Sequence, residues 1–203
     1  MVAFPAFLDT CVFYPAYLCD TLLRLAEASA YRPLWSADIF VELRRNLIAR
    51  GLPADRVDRR LGQMSRSFPD VPVTGYESLI DGMTNHPKDR HVLAAAVRAN
   101  AEVIVTFNLS DFPEPALKPY DIAAIHPDDF LLDQLDLYPG LTMDVLRHQA
   151  ASYRRAPNTV PEILVLLQRT GVPRFAAEVR RHLDLPAWWR TRPRRLKAGI
   201  NHG

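Results

Sequence analysis

Four acidic residues occupy positions where a carboxylate could do chemistry. Asp9 directly follows the apolar stretch AFL, and Asp111 lies shortly after the β-branched stretch VIV. Glu42 lies one turn into the helix predicted after Ser36, and Asp89 starts an alanine-rich helical stretch. Taken singly, each has an ordinary structural explanation as a strand-end acid, a solvent-facing helix residue, a helix N-terminal acid or a turn residue.

The four acids together predict a cation site. They come from four separate segments, and three of them lie near strand ends or helix starts. Carboxylates that are buried close together repel each other unless a cation is present. A site rich in carboxylate oxygens suits Mg²⁺ or Mn²⁺ better than zinc.

The elements that would position these acids alternate between strand and helix patterns. Strands are predicted at residues 6–9, 34–35, 71–73, 102–107 and 121–125. Helices are predicted at residues 17–30, 37–50, 54–68, 76–83, 89–101 and 127–137. This order predicts an α/β fold with a mostly parallel central sheet flanked by helices. Ligands bind outside the carboxyl ends of the strands in such sheets, which is where the acids fall.

Only helical patterns follow Pro139 and Gly140. They cover residues 141–155, 161–170 and 174–183, and Thr159 with Glu162 forms a capping box before the second. We therefore predict three regions: an α/β domain at 1–138, an all-helical C-terminal extension at 139–187 and a basic flexible tail at 188–203.

The formal net charge of +2 hides an uneven distribution. Residues 1–139 contain 13 Lys/Arg and 19 Asp/Glu, a balance of −6, and residues 140–203 contain 12 and 4, a balance of +8. A basic half indicates an anionic partner, of which nucleic acid is the commonest. The alternative is a solvated surface with a disordered tail, and charge alone leaves both open.

Several other classes of site and compartment gain no support. Cys11 and Cys19 match no zinc spacing and are predicted to be free thiols, buried or half-buried. The histidines form neither an HxH nor an HExxH pair, so no histidine metal site is predicted. No signal peptide and no uncharged run long enough for a membrane span is recognised, which predicts a cytoplasmic protein.

Four motifs follow one another along the chain: FLDTCVF, the Glu of SADIFVELRRNL, the Asp of HPKDRHVLAAAV and the run VTFNLSDFP. In this order they resemble the motifs of PIN-domain ribonucleases, and within that family those of VapC-type toxins of bacterial toxin–antitoxin pairs. The resemblance covers roughly residues 4–137, and the helical C-terminal region is similar to an extension found in a subset of these proteins.

The resemblance implies that Asp9, Glu42, Asp89 and Asp111 are both the catalytic residues and the ligands of Mg²⁺ or Mn²⁺. It implies polar support from Thr10, Thr106 and Asn108. Many relatives carry a further acid near the last motif, where this chain has Asn108, so the number of bound metals stays open.

The implied activity is hydrolysis of RNA by metal-activated water, leaving a 5′-phosphate and a 3′-hydroxyl. The implied partners are RNA, a small DNA-binding antitoxin that blocks the site, and a second copy in a homodimer. Four basic residues near the acids are candidates to hold RNA phosphates, with a solvated helix face as the alternative: Arg44, Arg45, Lys88 and Arg90.

Two rival functions fit the same fold. One is a PIN-like nuclease that processes RNA or structured DNA without an antitoxin, and a short antitoxin gene next to this one would argue against it. The other is a non-catalytic PIN module that binds RNA or protein. The complete set of acids argues against the second rival, because a degenerate module would be expected to lose them.

Overall fold

The computed structural model describes residues 4–184, and five strands in this range form one sheet. The strands are β1 (Pro5–Leu8), β2 (Arg32–Ser36), β3 (Pro72–Val73), β4 (Val103–Val105) and β5 (Ala123–Ile125). Their order across the sheet is β3-β2-β1-β4-β5, and each adjacent pair is parallel. The predicted α/β fold is confirmed, and the described sheet is parallel throughout.

The central strand β1 brings the predicted acidic residues to the carboxyl ends of the strands. Phe7 pairs in register with Leu34 of β2 and with Ile104 of β4, and all three side chains are buried. Such continuous apolar strands are typical of parallel sheets that helices cover on both faces. Since β1 and β4 are parallel, the residues that follow Leu8 and those that follow Val105 lie together at the carboxyl ends of the strands.

The described residues contain ten α-helices. They are α1 (Thr10–Phe13), α2 (Ala16–Glu27), α3 (Ala37–Ala49), α4 (Ala54–Ser67), α5 (Arg90–Arg98), α6 (Glu114–Leu117), α7 (Pro127–Leu137), α8 (Pro139–Ser152), α9 (Val160–Arg169) and α10 (Pro173–Asp184).

The predicted elements and the observed ones differ mainly in short pieces. The four-residue helices α1 and α6 were not predicted, because four residues are too few to show a helical period. The helix predicted at 76–83 is a 3₁₀ helix, Glu77–Gly82. The helix predicted at 89–101 begins with a 3₁₀ turn, Pro87–Asp89, and continues as the shorter α5.

The C-terminal helices pack on one another and on the α/β part. Helix α8 packs against α2, α9 against α2 and α8, and α10 against α7 and α9. Thr21 of α2 donates a hydrogen bond to Gln149 of α8 over 2.8 Å, and both side chains are fully buried. The predicted capping box is present, with Glu162 accepting from the backbone of Thr159.

The boundaries of the three predicted regions stay a prediction, and the basic tail at 188–203 lies outside the described residues. Within residues 4–184 no helix combines the length and apolar character needed to cross a membrane.

Candidate active site

Asp9 stands where the central strand turns into a helix. Its backbone N–H donates to the carbonyl of Val105 over 3.2 Å, which extends the β1–β4 pairing by one step before α1 begins at Thr10. Its side chain is only 4% exposed. The position of this acid is therefore fixed by the sheet and not by a mobile loop.

Two neighbours hold the Asp9 carboxylate. The Thr106 hydroxyl donates to Asp9 Oδ2 over 2.6 Å, and the Cys11 thiol donates to the same oxygen over 3.1 Å. Burial raises the pKa of Asp9 above its usual value, the hydrogen bonds from Thr106 and Cys11 lower it, and the charge of Glu42 raises it again. The net pKa is raised, so burial dominates.

Glu42 reaches the same region from α3. Thr10 donates its hydroxyl hydrogen bond to Glu42 Oε2 over 2.8 Å, and Asn46, one turn further along α3, donates to Oε1 over 3.4 Å. The Asn46 amide also donates to the hydroxyl of Tyr14. Thr10 thus links the end of β1 to α3 and orients the Glu42 carboxylate.

Asp89 and Asp111 form the other side of the site. Asp89 is buried at the N-terminus of α5, and Asp111 is half-buried at the end of a 3₁₀ turn, Leu109–Asp111. Burial raises the pKa of Asp89 to about 6, the charges of Asp9 and Asp111 raise it as well, and the charge of Lys88 lowers it. Asp89 is therefore close enough to both Asp9 and Asp111 to be repelled by their charges.

The polar residues after β4 connect this loop to Asp9. The backbone N–H of Thr106 donates to Ile125, which continues the pairing with β5, while its side chain points to Asp9. Asn108 enters the network through its backbone: its N–H donates to Thr106 Oγ1 over 3.0 Å and its carbonyl accepts from Asp111 over 3.0 Å.

The four basic candidates separate into two groups. Arg45 and Lys88 line a surface cleft together with Glu42 and His91. Arg44 instead forms a bidentate pair with Asp58 of α4, with hydrogen bonds of 2.7 and 3.1 Å.

Arg90 is half-buried, and its Nε has no hydrogen-bond partner among residues 4–184. Of the four basic candidates, only Arg45 and Lys88 are among the described residues that line the cleft beside Glu42.

The carboxylates fit a divalent cation by their chemistry. Asp89 Oδ2 is buried and has no hydrogen-bond partner in the described part of the chain. Ligand atoms of His86, Asp89 and Asp111 all lie within 4.8 Å of one another. A buried carboxylate oxygen without a donor is costly unless a cation completes it.

Two residues of the site were missed by sequence reasoning. Cys11 hydrogen-bonds Asp9 and accepts from the N–H of Phe107 over 3.2 Å, and its predicted state as a free thiol is confirmed. Burial and the charge of Asp9 raise the pKa of Cys11 to about 12, so it is a protonated donor and not a nucleophile. His86 lies three residues before Asp89, and that spacing was the one signal that could have marked it.

Comparison with known proteins agrees with the fold and the motifs. A protein from Mycobacterium tuberculosis named "Putative ribonuclease VapC50" is 58% identical over 107 residues, which cover 53% of this chain and 63% of that protein. The match thus spans less than two thirds of that relative. No solved structure matches the chain significantly.

Two family models match separate parts of the chain. The model described as the VapC50 C-terminal domain matches residues 127–181, and the model described as the PIN domain matches residues 5–110. The second match contains Asp9, Glu42 and Asp89 and ends one residue before Asp111. The resemblance found in the sequence, including the helical C-terminal region, is confirmed: the chain belongs to the PIN-domain family.

Proposed function

We propose that this protein is a divalent-metal-dependent endoribonuclease that hydrolyses RNA phosphodiester bonds with an activated water. The observation that supports the proposal is that Asp9 interacts electrostatically with both Glu42 and Asp89, and Asp89 with Asp111, at the carboxyl ends of the strands. Burial and these neighbouring charges raise the pKa values of Asp9 and Asp89, and a bound cation would favour their ionised forms.

The residues divide the work between holding a cation and orienting its ligands. Asp9, Asp89 and Asp111 would hold Mg²⁺ or Mn²⁺ through hard carboxylate oxygens, with Glu42 on the opposite side. A bound divalent cation supplies Lewis acidity toward water and toward the scissile phosphate. Thr106 orients the Asp9 carboxylate by a 2.6 Å hydrogen bond. Whichever of the four carboxylates does not bind the metal can accept the proton of the attacking water.

RNA would approach over the cleft beside Glu42. Arg45 and Lys88 line this cleft, and their charges offset the acids that would otherwise repel a phosphate backbone. Arg44 is a weaker candidate because Asp58 already occupies its guanidinium. The expected products are a 5′-phosphate and a 3′-hydroxyl.

The biological role that we propose is that of the toxin in a toxin–antitoxin pair. The name of the M. tuberculosis relative and the match to the VapC50 C-terminal domain support this role. A small DNA-binding antitoxin would then cover the acidic site, and the toxin would act as a homodimer or within a hetero-oligomer in the cytoplasm. Co-purification of this protein with the product of a short adjacent gene would distinguish the role from antitoxin-free RNA processing.

The activity is tested by single substitutions of the buried acids. Asp9→Asn and Asp89→Asn should each lower cleavage of a structured RNA in Mg²⁺ or Mn²⁺ by more than about 100-fold, because losing even an outer partner of a metal ligand commonly costs about 10–100-fold. Cleavage is measured by gel assay, with sequencing of the new ends. EDTA should stop it.

The matched control is Asp70→Asn, which alters an exposed acid just before β3, at the opposite edge of the sheet. Its cleavage rate should equal that of the unmodified protein. Cleavage that persists in both Asp9→Asn and Asp89→Asn would refute the proposed mechanism.

A further inference from the structure

His86 is the first residue of the motif HPKDRHVLAAAV and lies beside two of the four acids, Asp89 and Asp111. Its Nδ1 is 3.9 Å from Asp89 Oδ2, and its backbone N–H donates to the carbonyl of Asp111 over 3.1 Å. The second contact ties the backbone of His86 to the loop that carries Asp111. One potential ligand atom from each of these three residues lies within 4.8 Å of the others.

The unpartnered oxygen of Asp89 is an independent indication of a ligand at this place. Asp89 is 5% exposed, and its Oδ2 has no hydrogen-bond partner within residues 4–184. By contrast, Asp9 Oδ2 accepts hydrogen bonds from both Thr106 and Cys11. The two buried carboxylates therefore differ: Asp9 is satisfied by protein donors, whereas Asp89 has one oxygen without a protein donor within residues 4–184.

The distance between His86 and Asp89 suits two ligands of one ion. An octahedral divalent cation with bonds of about 2.1 Å separates its ligand atoms by roughly 3 to 4.2 Å. The 3.9 Å between His86 Nδ1 and Asp89 Oδ2 falls in that range. The half-exposed His86 ring can rotate with little cost, since its side chain is 52% exposed.

We propose that His86, Asp89 and Asp111 hold one divalent cation through a nitrogen and two carboxylate oxygens, and that His86 makes this position prefer Mn²⁺ to Mg²⁺. Mg²⁺ takes oxygen ligands and keeps much of its water, whereas an imidazole nitrogen is a good ligand for transition metals. The inference rests on the proposed metal-dependent hydrolysis, but it concerns the ligand set and is measured without RNA.

The proposal is tested by detecting a nitrogen atom bound to Mn²⁺. Full-length protein is loaded with Mn²⁺ and studied by electron spin-echo envelope modulation, which detects the coupling of Mn²⁺ to a bound ¹⁴N. The unmodified protein should show this coupling, and selective ¹⁵N labelling of histidine should change its pattern. His86→Ala should abolish the coupling, while the same substitution at the exposed His148 of α8 should leave it intact.

Affinity provides a second readout. By calorimetry, His86→Ala should weaken Mn²⁺ binding by about tenfold or more and Mg²⁺ binding by a clearly smaller factor. The backbone hydrogen bond from residue 86 to Asp111 is retained in this variant, and unchanged melting of the metal-free protein would show that the fold is intact.

Three results would overturn the assignment: no Mn²⁺ binding, Mn²⁺ bound without nitrogen coupling, or coupling that survives His86→Ala. Metal-dependent RNA cleavage in the absence of the coupling would remove only His86 from the ligand set. A nitrogen coupling in a protein that cleaves no RNA would support the ligand assignment and refute the proposed function.

Discussion

Asp9 and Asp89 show how burial changes a carboxylate even before any ligand is considered. Both are almost fully buried, and burial is the main cause that raises the pKa of each. Thr106 and Cys11 compensate Asp9 with two hydrogen bonds. Asp89 has no such pair of hydrogen-bond donors, and only the charge of Lys88 lowers its pKa.

The raised pKa of Asp89 leads to a pH-dependent stability. An acid whose pKa rises from 3.8 to about 6 on folding stabilises the fold fully below about pH 3.8 and loses this contribution as the pH rises through 6. In metal-free buffer, the free energy of unfolding of the unmodified protein should therefore fall relative to that of Asp89→Asn between pH 4 and 6.5. Urea unfolding at a series of pH values measures it.

Saturating Mg²⁺ or Mn²⁺ serves as the internal control for this pH experiment. A cation that binds the ionised carboxylate competes with protons, so the stability of the loaded protein should rise over the same pH range. Parallel pH profiles for the metal-free unmodified protein and Asp89→Asn would show that Asp89 titrates normally.

Residues at the ends of helices and strands form the candidate site and also connect one helix to another. Asp9 lies between β1 and α1, and Asp89 precedes α5. Another buried acid, Asp128, serves structure instead: its carboxylate accepts from the backbone N–H groups of Arg174 and Phe175 over 3.0 and 2.8 Å. A residue of α7 thus satisfies the first turn of α10, whose N–H groups have no partner within their own helix.

Removing this cap should loosen the C-terminal helices. Asp128→Ala leaves the N–H groups of exposed Arg174 and of buried Phe175 without their acceptor, and it should lower the free energy of unfolding by about 1–3 kcal/mol. Chemical denaturation followed by circular dichroism measures the loss.

Asp129→Ala is the matched control for the cap. Asp129 is the next residue along α7 and makes an exposed ion pair with the Arg174 side chain. Its substitution should cost less than about 1 kcal/mol, as is usual for surface pairs. Equal losses for the two variants would mean that the cap has no special role.

Over the whole molecule, the C-terminal helices touch the loop that carries the polar site residues. Gly171, in the turn between α9 and α10, packs so closely on Phe107 that a Cβ there would lie 2.8 Å from the ring. The Phe107 ring also packs edge-on against His126, with 5.1 Å between centroids. Phe107 lies between Thr106 and Asn108 in the chain, so the helical region packs against the segment that contains these two site residues.

Gly171→Ala tests this support. The substitution adds a side chain at φ +98°, which costs about 1–2 kcal/mol, and it forces Phe107 to move, which costs about 1–3 kcal/mol. We expect a loss of stability and a fall in RNA cleavage, because the shift of Phe107 disturbs the hydrogen bond from Thr106 to Asp9. Denaturation and the gel assay measure the two effects.

Gly51→Ala separates backbone strain from the clash. Gly51 has a similar φ of +88°, but a Cβ there meets nothing within 4 Å. This control should lose only the backbone contribution of about 1–2 kcal/mol and keep its cleavage rate. If cleavage by Gly171→Ala is as fast as that of Gly51→Ala, the contact does not support the site.

The accuracy of the sequence-based prediction depended on the length of each pattern. Helix α7 was predicted at its observed bounds, Pro127–Leu137, because it carries a helical period and begins with a proline that suits a first turn. Strand β4 was predicted longer than it is, since Thr106 continues the pairing outside the assigned strand. The short α1 gave no pattern to read.

The α/β order, the helical C-terminal region and the acids that follow strands or precede helices could all be predicted from the amino-acid sequence. These follow from local periodicity and from the rule that parallel strands end at a common edge. Which side chains meet became clear only in the folded molecule. Arg44 pairs with Asp58, Cys11 donates to Asp9, and His86 lies beside Asp89 and Asp111. The reason is that contacts between segments distant in sequence depend on side-chain direction and burial, which no local pattern encodes.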